Sequence, residues 1–177
     1  MPLFSRSTPT GELPAAEVLA ALTARRETLA TAESLTGGQL SALVTAVPGA
    51  SAVYLGGVVA YASEVKVQVL GVPATVVEQH GVVSAECAAE MARAVRRLLG
   101  ATYGLSTTGV AGPDPQEDKP VGTVYVGLAG PDGSTAVAAL ELVGDRGTIQ
   151  HRTCLEALEG LARALERQLP GEEPALR

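Results

Sequence analysis

Residues 32–39, with the sequence AESLTGGQ, join a short apolar run to a segment whose apolar residues follow helical spacing. The run at residues 28–31 is typical of a buried strand, and Leu40, Leu43 and Val44 fit one face of a helix. The segment is therefore predicted to be a strand-to-helix turn. Turns of this kind lie at the carboxyl edge of an open α/β sheet, where ligands usually bind.

The polar residues of this turn are suited to an anionic group. Gly37 and Gly38 open the predicted helix, where backbone N–H groups lack helical partners and favour negative charge. Ser34 and Thr36 add hydroxyls, and Glu33 adds a carboxylate. The turn is therefore a candidate ligand site.

The chain has 177 residues, enough for one domain that buries about 70% of its unfolded surface. We expect a single domain over residues 13–170. A flexible leader is expected at residues 1–12 and a frayed tail at residues 171–177, because both are rich in polar residues, proline or glycine.

The two cysteines, Cys87 and Cys154, lie in apolar segments and are expected to be reduced core residues. His151 precedes Cys154 at a helical spacing, but His80 is the only other histidine. Since a protein metal site needs about four ligands, no metal is expected.

Charge and hydropathy exclude several classes of partner. Thirteen basic against nineteen acidic residues give a net charge of −6, which disfavours duplex nucleic acid because phosphate neutralisation drives that binding. No apolar run reaches about 18 residues, and no signal-peptide core follows the first residues. We expect a cytoplasmic protein without a membrane partner.

The remaining pattern predicts an α/β fold, a three-layer α/β/α sandwich with a mixed sheet. Parallel strands in the first half precede an antiparallel hairpin around Pro131-Asp132-Gly133. Helices are expected to begin at Pro14, Ser63 and Ser84, with the two serines as caps. The predicted strands cover residues 28–31, 52–61, 102–109, 122–128 and 134–140, of which 52–61 is expected in the middle of the sheet, and the last helix covers about 148–169.

Signatures of kinases, dinucleotide oxidoreductases and lipase-type hydrolases are absent from the sequence. Ser63-x-x-Lys66 matches a pattern that places a serine nucleophile and a lysine on one helix face. The pattern is common by chance, however, and its usual partner motifs are missing.

Six segments together resemble the C-terminal domain family of the competence/damage-inducible protein CinA, in the same order along the chain. The resemblance covers about residues 14–169 and rests on residues 32–38, 56–66, 81–84, 108–113, 119–124 and 144–146. It implies hydrolysis of the carboxamide of nicotinamide mononucleotide (NMN) to nicotinic acid mononucleotide and ammonia, without a cofactor. The chain resembles the stand-alone form of the family, and we expect a homo-oligomer, a dimer or higher.

Carried over residue by residue, the resemblance implies Ser34 as nucleophile and Lys66 as its base, with Tyr61 close to both. Lys66 must be neutral to accept a proton, so its pKa must lie below the ordinary lysine range. The candidate substrate-binding residues are Glu33, Thr36, Gly37, Gly38, Thr108, Gly109 and Arg146. Whether the Gly37-Gly38 backbone holds phosphate or an oxyanion is left open.

Each role has a simpler alternative. Ser34 could be a helix cap, Lys66 a solvated lysine and Tyr61 a packed strand residue. Arg146 could pair with a neighbouring carboxylate, and Glu33 could hold backbone groups. The whole chain could be a nucleotide-binding or competence-associated module without turnover. The chain departs from the family pattern at one position and in one loop: Ser63 replaces a frequent asparagine, and residues 114–118 replace a frequent run of glycines. The change in the loop weakens the NMN assignment more than the reaction class.

Overall fold

The computed structural model describes residues 13–167. The predicted leader, the tail and the end of the last helix lie outside these residues. The described elements are α1 (Leu13–Arg25), β1 (Leu29–Glu33), α2 (Gln39–Thr45), β2 (Tyr54–Val59), α3 (Ser63–Gln68), α4 (Ala74–His80), α5 (Ala85–Leu99), β3 (Tyr103–Gly109), β4 (Thr123–Ala129), β5 (Thr135–Glu141) and α6 (Arg146–Arg167), with a short 3-10 helix at Ala50–Ala52.

The strands form one mixed sheet in the order β2-β1-β3-β4-β5. β1 pairs in parallel with β2 and β3, while β4 is antiparallel to both β3 and β5. The predicted hairpin and mixed sheet are thus confirmed. Because the carboxyl ends of β1, β2 and β3 meet at one edge, the segments that follow these three strands come together.

Helices cover both faces of the sheet. Leu29 of β1 joins a core cluster with buried residues of α1, α2 and α6, whereas its neighbour Ala30 joins a second cluster with buried residues of α5. Successive strand side chains point to opposite faces, so the two clusters mark the two sides of the sheet. The predicted three-layer α/β/α sandwich is confirmed.

The position expected for β2 is wrong. β2 lies at the edge of the sheet, and its residues alternate between half-buried and exposed. Its glycines do mark a close approach, because a Cβ at Gly57 would collide with the Thr31 hydroxyl. Such a glycine indicates that another group packs closely against one face of the strand. It does not indicate whether further strands pair with both edges of β2, so it does not predict the position of β2 in the sheet.

Of three helix starts, one agrees with the sequence prediction and two differ from it. Ser84 caps α5 as predicted, since its hydroxyl accepts from the Cys87 N–H over 3.1 Å. Ser63 does not cap α3, whose N-cap residue is Ala62 and has no side-chain bond. α6 begins at Arg146, two positions before the expected start, because the Asp145 carboxylate accepts from the Thr148 N–H over 2.8 Å and caps the helix there.

Candidate active site

A polar cavity of about 240 Å³ opens at the carboxyl edge of the three parallel strands. Four predicted site residues lie at this edge: Ser34 directly after β1, Tyr61 after β2, Gly109 at the end of β3 and Arg146 at the start of α6. Lys66 of α3 is the fifth predicted residue in the cavity wall. The other lining residues are Leu35, Ser63, Val82, Val83, Val110, Ala111, Gly112, Asp114 and Gln116.

Ser34 and Lys66 are in direct contact at the cavity wall. Lys66 Nζ donates to Ser34 Oγ over 3.0 Å and to the Ala60 carbonyl over 2.8 Å. Lys66 is only 1% exposed and Ser34 is 9% exposed. The alternative of a solvated lysine is therefore wrong, and the Ala60 carbonyl fixes the direction of the ammonium group.

Burial lowers the pKa of Lys66 from its ordinary value of 10.5, because desolvation disfavours the charged form. Cys87 and Glu117 oppose this effect, since negative charge on either favours the protonated lysine. The Cys87 thiol itself has its pKa raised to about 11 by burial, so it is neutral near pH 7. The pKa of Lys66 is thus shifted in the direction that a general base requires.

Ser34, and not Ser63, is the serine that contacts Lys66. Ser63 lies in the cavity wall but is exposed, and the hydrogen bond of Lys66 Nζ to a serine goes to Ser34. The alternative that Ser34 caps α2 is also excluded, because the N-cap residue of α2 is Gly38.

Glu33 lies beneath the N-terminus of α2 and not in the cavity wall. It is fully buried, and its carboxylate accepts five hydrogen bonds from this segment. The donors are the Thr36 hydroxyl at 2.8 Å, the N–H groups of Gly38, Leu40 and Ser41 at 2.9, 3.0 and 2.8 Å, and the Ser41 hydroxyl at 2.5 Å. These bonds satisfy donors that a helix start leaves unpaired, so the placement supports the structural alternative for Glu33.

The same turn contains both engaged and free backbone N–H groups. Gly38 donates to Glu33, and Gly37 donates to the Ser34 carbonyl over 3.1 Å. Both glycines have positive φ, 59° and 102°, which explains their presence in this turn. Within residues 13–167, the N–H groups of Leu35 and Thr36 have no hydrogen-bond acceptor. They are the free donors beside Ser34.

Thr108 and Thr36 use their hydroxyls within the protein. Thr108 donates to the Val82 carbonyl over 2.6 Å, and Thr36 shares a 2.8 Å hydrogen bond with Thr107. Both residues are buried outside the cavity wall. They hold the end of β3 against the neighbouring turns. Gly109 does line the cavity, where a Cβ would lie 2.6 Å from the Thr123 carbonyl oxygen.

Arg146 and Tyr61 meet at the cavity rim. Arg146 donates to the Tyr61 hydroxyl over 2.7 Å and to the Gly112 carbonyl over 2.8 Å. Tyr61 is 60% exposed, so it is not a packed strand tyrosine. The guanidinium remains exposed and points to the cavity with donors suited to an anionic group.

Sequence reasoning missed several residues of the cavity wall. Asp114 and Gln116 belong to the loop after β3, which the sequence singled out only by its departure from the family pattern. The Ala60 carbonyl had no sequence signal, because any residue type can supply it. Among residues 13–167, no group of three His, Cys, Asp or Glu side chains could hold a metal ion.

None of the helices within residues 13–167 combines the length and the apolar character needed to cross a membrane.

A sequence model of the CinA C-terminal domain matches residues 12–165. The chain belongs to the CinA C-terminal domain family. It is 54% identical over 156 residues to a CinA-like protein of Frankia casuarinae, covering 88% of this chain and 36% of the relative. It is also 54% identical over 155 residues to a CinA-like protein of Anaeromyxobacter sp., covering 87% of this chain and 37% of the relative. The chain thus spans about a third of the length of these relatives.

Solved structures of the CinA family share the fold. The crystal structure of the competence damage-inducible protein A of Klebsiella pneumoniae superposes with a TM-score of 0.87 at 35% identity, covering 90% of this chain and 99% of that one. The competence/damage inducible protein of Agrobacterium tumefaciens gives a TM-score of 0.84 at 31% identity, with the same coverage. The comparisons confirm the family resemblance.

Replacing Glu33 with glutamine is expected to lower the free energy of unfolding by about 2–4 kcal/mol. The amide nitrogen of glutamine would face N–H donors where the carboxylate accepts. Urea unfolding followed by circular dichroism measures the change. Glu78→Gln, at an exposed position of α4, is the control and should change the free energy by less than about 0.5 kcal/mol. Equal losses in the two variants would contradict the capping role of Glu33.

Proposed function

We propose that the protein is an amidohydrolase that converts NMN to nicotinic acid mononucleotide and ammonia. The observation that carries this proposal is the 3.0 Å contact between Ser34 Oγ and Lys66 Nζ, both buried at the wall of a polar cavity. A serine hydroxyl is a weak nucleophile until a neighbouring base takes its proton. A buried lysine with a lowered pKa is suited to that task.

In acylation, Ser34 would be the nucleophile, and Lys66 would act first as general base and then as general acid. Neutral Lys66 accepts the proton of the Ser34 hydroxyl while Oγ attacks the carboxamide carbon. The tetrahedral intermediate then collapses with cleavage of the carbon–nitrogen bond, and the protonated lysine gives its proton to the departing nitrogen, which leaves as ammonia. The product of this half-reaction is an ester between the nicotinate carbonyl and Ser34.

In deacylation, water would be the nucleophile and Ser34 Oγ the leaving group. Water attacks the ester carbonyl, Lys66 accepts a proton from that water, and the carbon–oxygen bond to Ser34 breaks as the proton returns to Oγ. The N–H group of Leu35, which lines the cavity, is the donor we assign to the oxyanion in both steps. One such donor typically contributes about 3–4 kcal/mol to the stability of the transition state.

The choice of NMN rests on the family resemblance and on Arg146. The guanidinium lies at the rim of the same cavity and can bind phosphate with two parallel N–H groups. Because Gly38 is engaged by Glu33, we place phosphate at Arg146 and the oxyanion beside Ser34. A module that only binds a nucleotide has no need of a buried lysine with a lowered pKa against a serine hydroxyl, so the Ser34–Lys66 contact favours catalysis over that alternative.

The direct test is turnover of NMN by purified protein in the presence of a chelator. Formation of nicotinic acid mononucleotide and ammonia in equal amounts, between pH 6 and 9, is expected. If neither product forms at any pH in this range while NMN binds tightly, the non-catalytic binding module is the better description.

The pH dependence of kcat/KM should report the ionisation of Lys66. Only the neutral amine accepts a proton, so kcat/KM is expected to rise with pH through the pKa of Lys66 in the free enzyme. Burial lowers that pKa, and the midpoint of the rise should therefore lie below 10.5. Initial rates from pH 5 to 10.5, with stability checked by preincubation, measure it. A midpoint at or above 10.5 would argue against a desolvated lysine base.

A further inference from the structure

The loop between β3 and β4 contains a tight turn with an unusual residue pair. Gln116 and Lys119 form an isolated antiparallel bridge, with mutual N–H to carbonyl bonds of 3.2 and 2.9 Å. Glu117 and Asp118 are the two residues between them, with φ values of 51° and 57°. Turns of this shape favour Asn-Gly, because both central residues must be left-handed. A glutamate in such a position indicates that its side chain has a specific role.

The Glu117 side chain reaches a segment far away in the sequence. Its two carboxylate oxygens accept from the N–H groups of Val82 and Val83, each over 3.0 Å. A Cβ at Gly81 would collide with this carboxylate, so that position leaves space for it. Hydrogen bonds to a charged acceptor are stronger than those between neutral groups. The contact ties the loop to the segment just before α5.

The contact joins two segments that both contribute residues to the wall of the cavity. Val82 and Val83 line it from one side, and Asp114 and Gln116 line it from the loop. Arg146 holds the same loop at its beginning through the Gly112 carbonyl. The loop is thus fixed at Gly112 and at Glu117. Asp114 and Gln116, which lie between these two points in the sequence, line the cavity.

We infer that Glu117 is a positioning residue that fixes this loop as a wall of the active site and thereby sets the affinity for the substrate. The kinetic part of this inference rests on the proposed function. The positioning part does not, because the contact with Val82 and Val83 is measurable without a substrate. Asp114 and Gln116, as the loop side chains in the wall, are the groups through which the loop meets polar parts of the ligand.

The test compares Glu117→Ala with Asp118→Ala in the full chain. Both positions already hold a non-glycine residue at positive φ, so alanine changes the backbone strain little at either, and only the first variant loses the carboxylate that binds Val82 and Val83. Hydrogen exchange at these two N–H groups should accelerate at least about tenfold in Glu117→Ala and less than about twofold in Asp118→Ala. Glu117→Gln keeps one acceptor oxygen, so its exchange rates at Val82 and Val83 should lie between those of the two alanine variants. If Glu117→Ala does not fold, Glu117→Gln takes its place in the comparison.

For NMN, KM is expected to rise at least about tenfold in Glu117→Ala with kcat within about threefold, and to change little in Asp118→Ala. Equal exchange in the two alanine variants would overturn the positioning role. Faster exchange with an unchanged KM would overturn the link to substrate affinity. If the unmodified protein does not hydrolyse NMN, the proposed function fails, and the exchange comparison alone then supports or overturns the positioning role of Glu117.

Discussion

Replacing Ser34 with alanine is expected to lower kcat for NMN deamidation by at least about a thousandfold while leaving the fold intact. The loss follows from the absence of the attacking oxygen, for which the cavity offers no substitute in contact with Lys66. The side chain is small, so removal of its hydroxyl leaves most packing unchanged. Product formation by chromatography and thermal unfolding by circular dichroism measure the two effects.

Ser63→Ala is the matched control for this prediction. Ser63 lines the same cavity and lies three residues before Lys66, but it is exposed and does not cap α3. Its replacement should leave kcat within about tenfold of the unmodified protein. A larger loss in Ser63→Ala than in Ser34→Ala would reverse the assignment of the nucleophile.

Replacing Lys66 with methionine is expected to remove activity and to stabilise the protein at neutral pH. Methionine has a similar length but cannot accept a proton, so kcat should fall at least about a thousandfold. The pKa of Lys66 is lower in the folded than in the unfolded protein, which means that burial of the amine opposes folding below the ordinary pKa of 10.5. Methionine removes that penalty, as substitutions at strained active-site positions often do.

The gain in stability should depend on pH in a defined direction. Below the folded pKa of Lys66 the penalty is complete, and it declines as pH rises from there towards 10.5. The difference in Tm between Lys66→Met and the unmodified protein should therefore be larger at pH 7 than at pH 10. A difference that grows with pH would contradict the desolvated lysine, because it would require a folded pKa above the unfolded one.

Much of the fold follows from local patterns in the sequence. The hairpin around Gly133, the cap at Ser84 and the turn after β1 each depend on residues close together in the chain, and all three were predicted. The edge position of β2 was not, because strand order is decided by pairing between distant segments. The early start of α6 was missed because Asp145 was not considered as a helix cap.

The candidate site was only partly accessible from sequence. Ser34 and Lys66 are 32 positions apart, and the family resemblance, not spacing, paired them. The local pattern Ser63-x-x-Lys66 indicated the other serine. The sequence alone does not show whether a glutamate beside the nucleophile faces the ligand or a helix N-terminus. For Glu33, the five hydrogen bonds to its carboxylate show that it faces the N-terminus of α2.

The central claim is that Ser34 forms a covalent ester with the substrate acyl group. Acid quenching of the protein during turnover of NMN, followed by digestion and mass spectrometry, tests it most directly. We predict an added acyl mass, equal to NMN less ammonia, on the peptide that contains Ser34, and its absence in Ser34→Ala. An adduct on a different residue, or undiminished turnover by Ser34→Ala, would contradict the account.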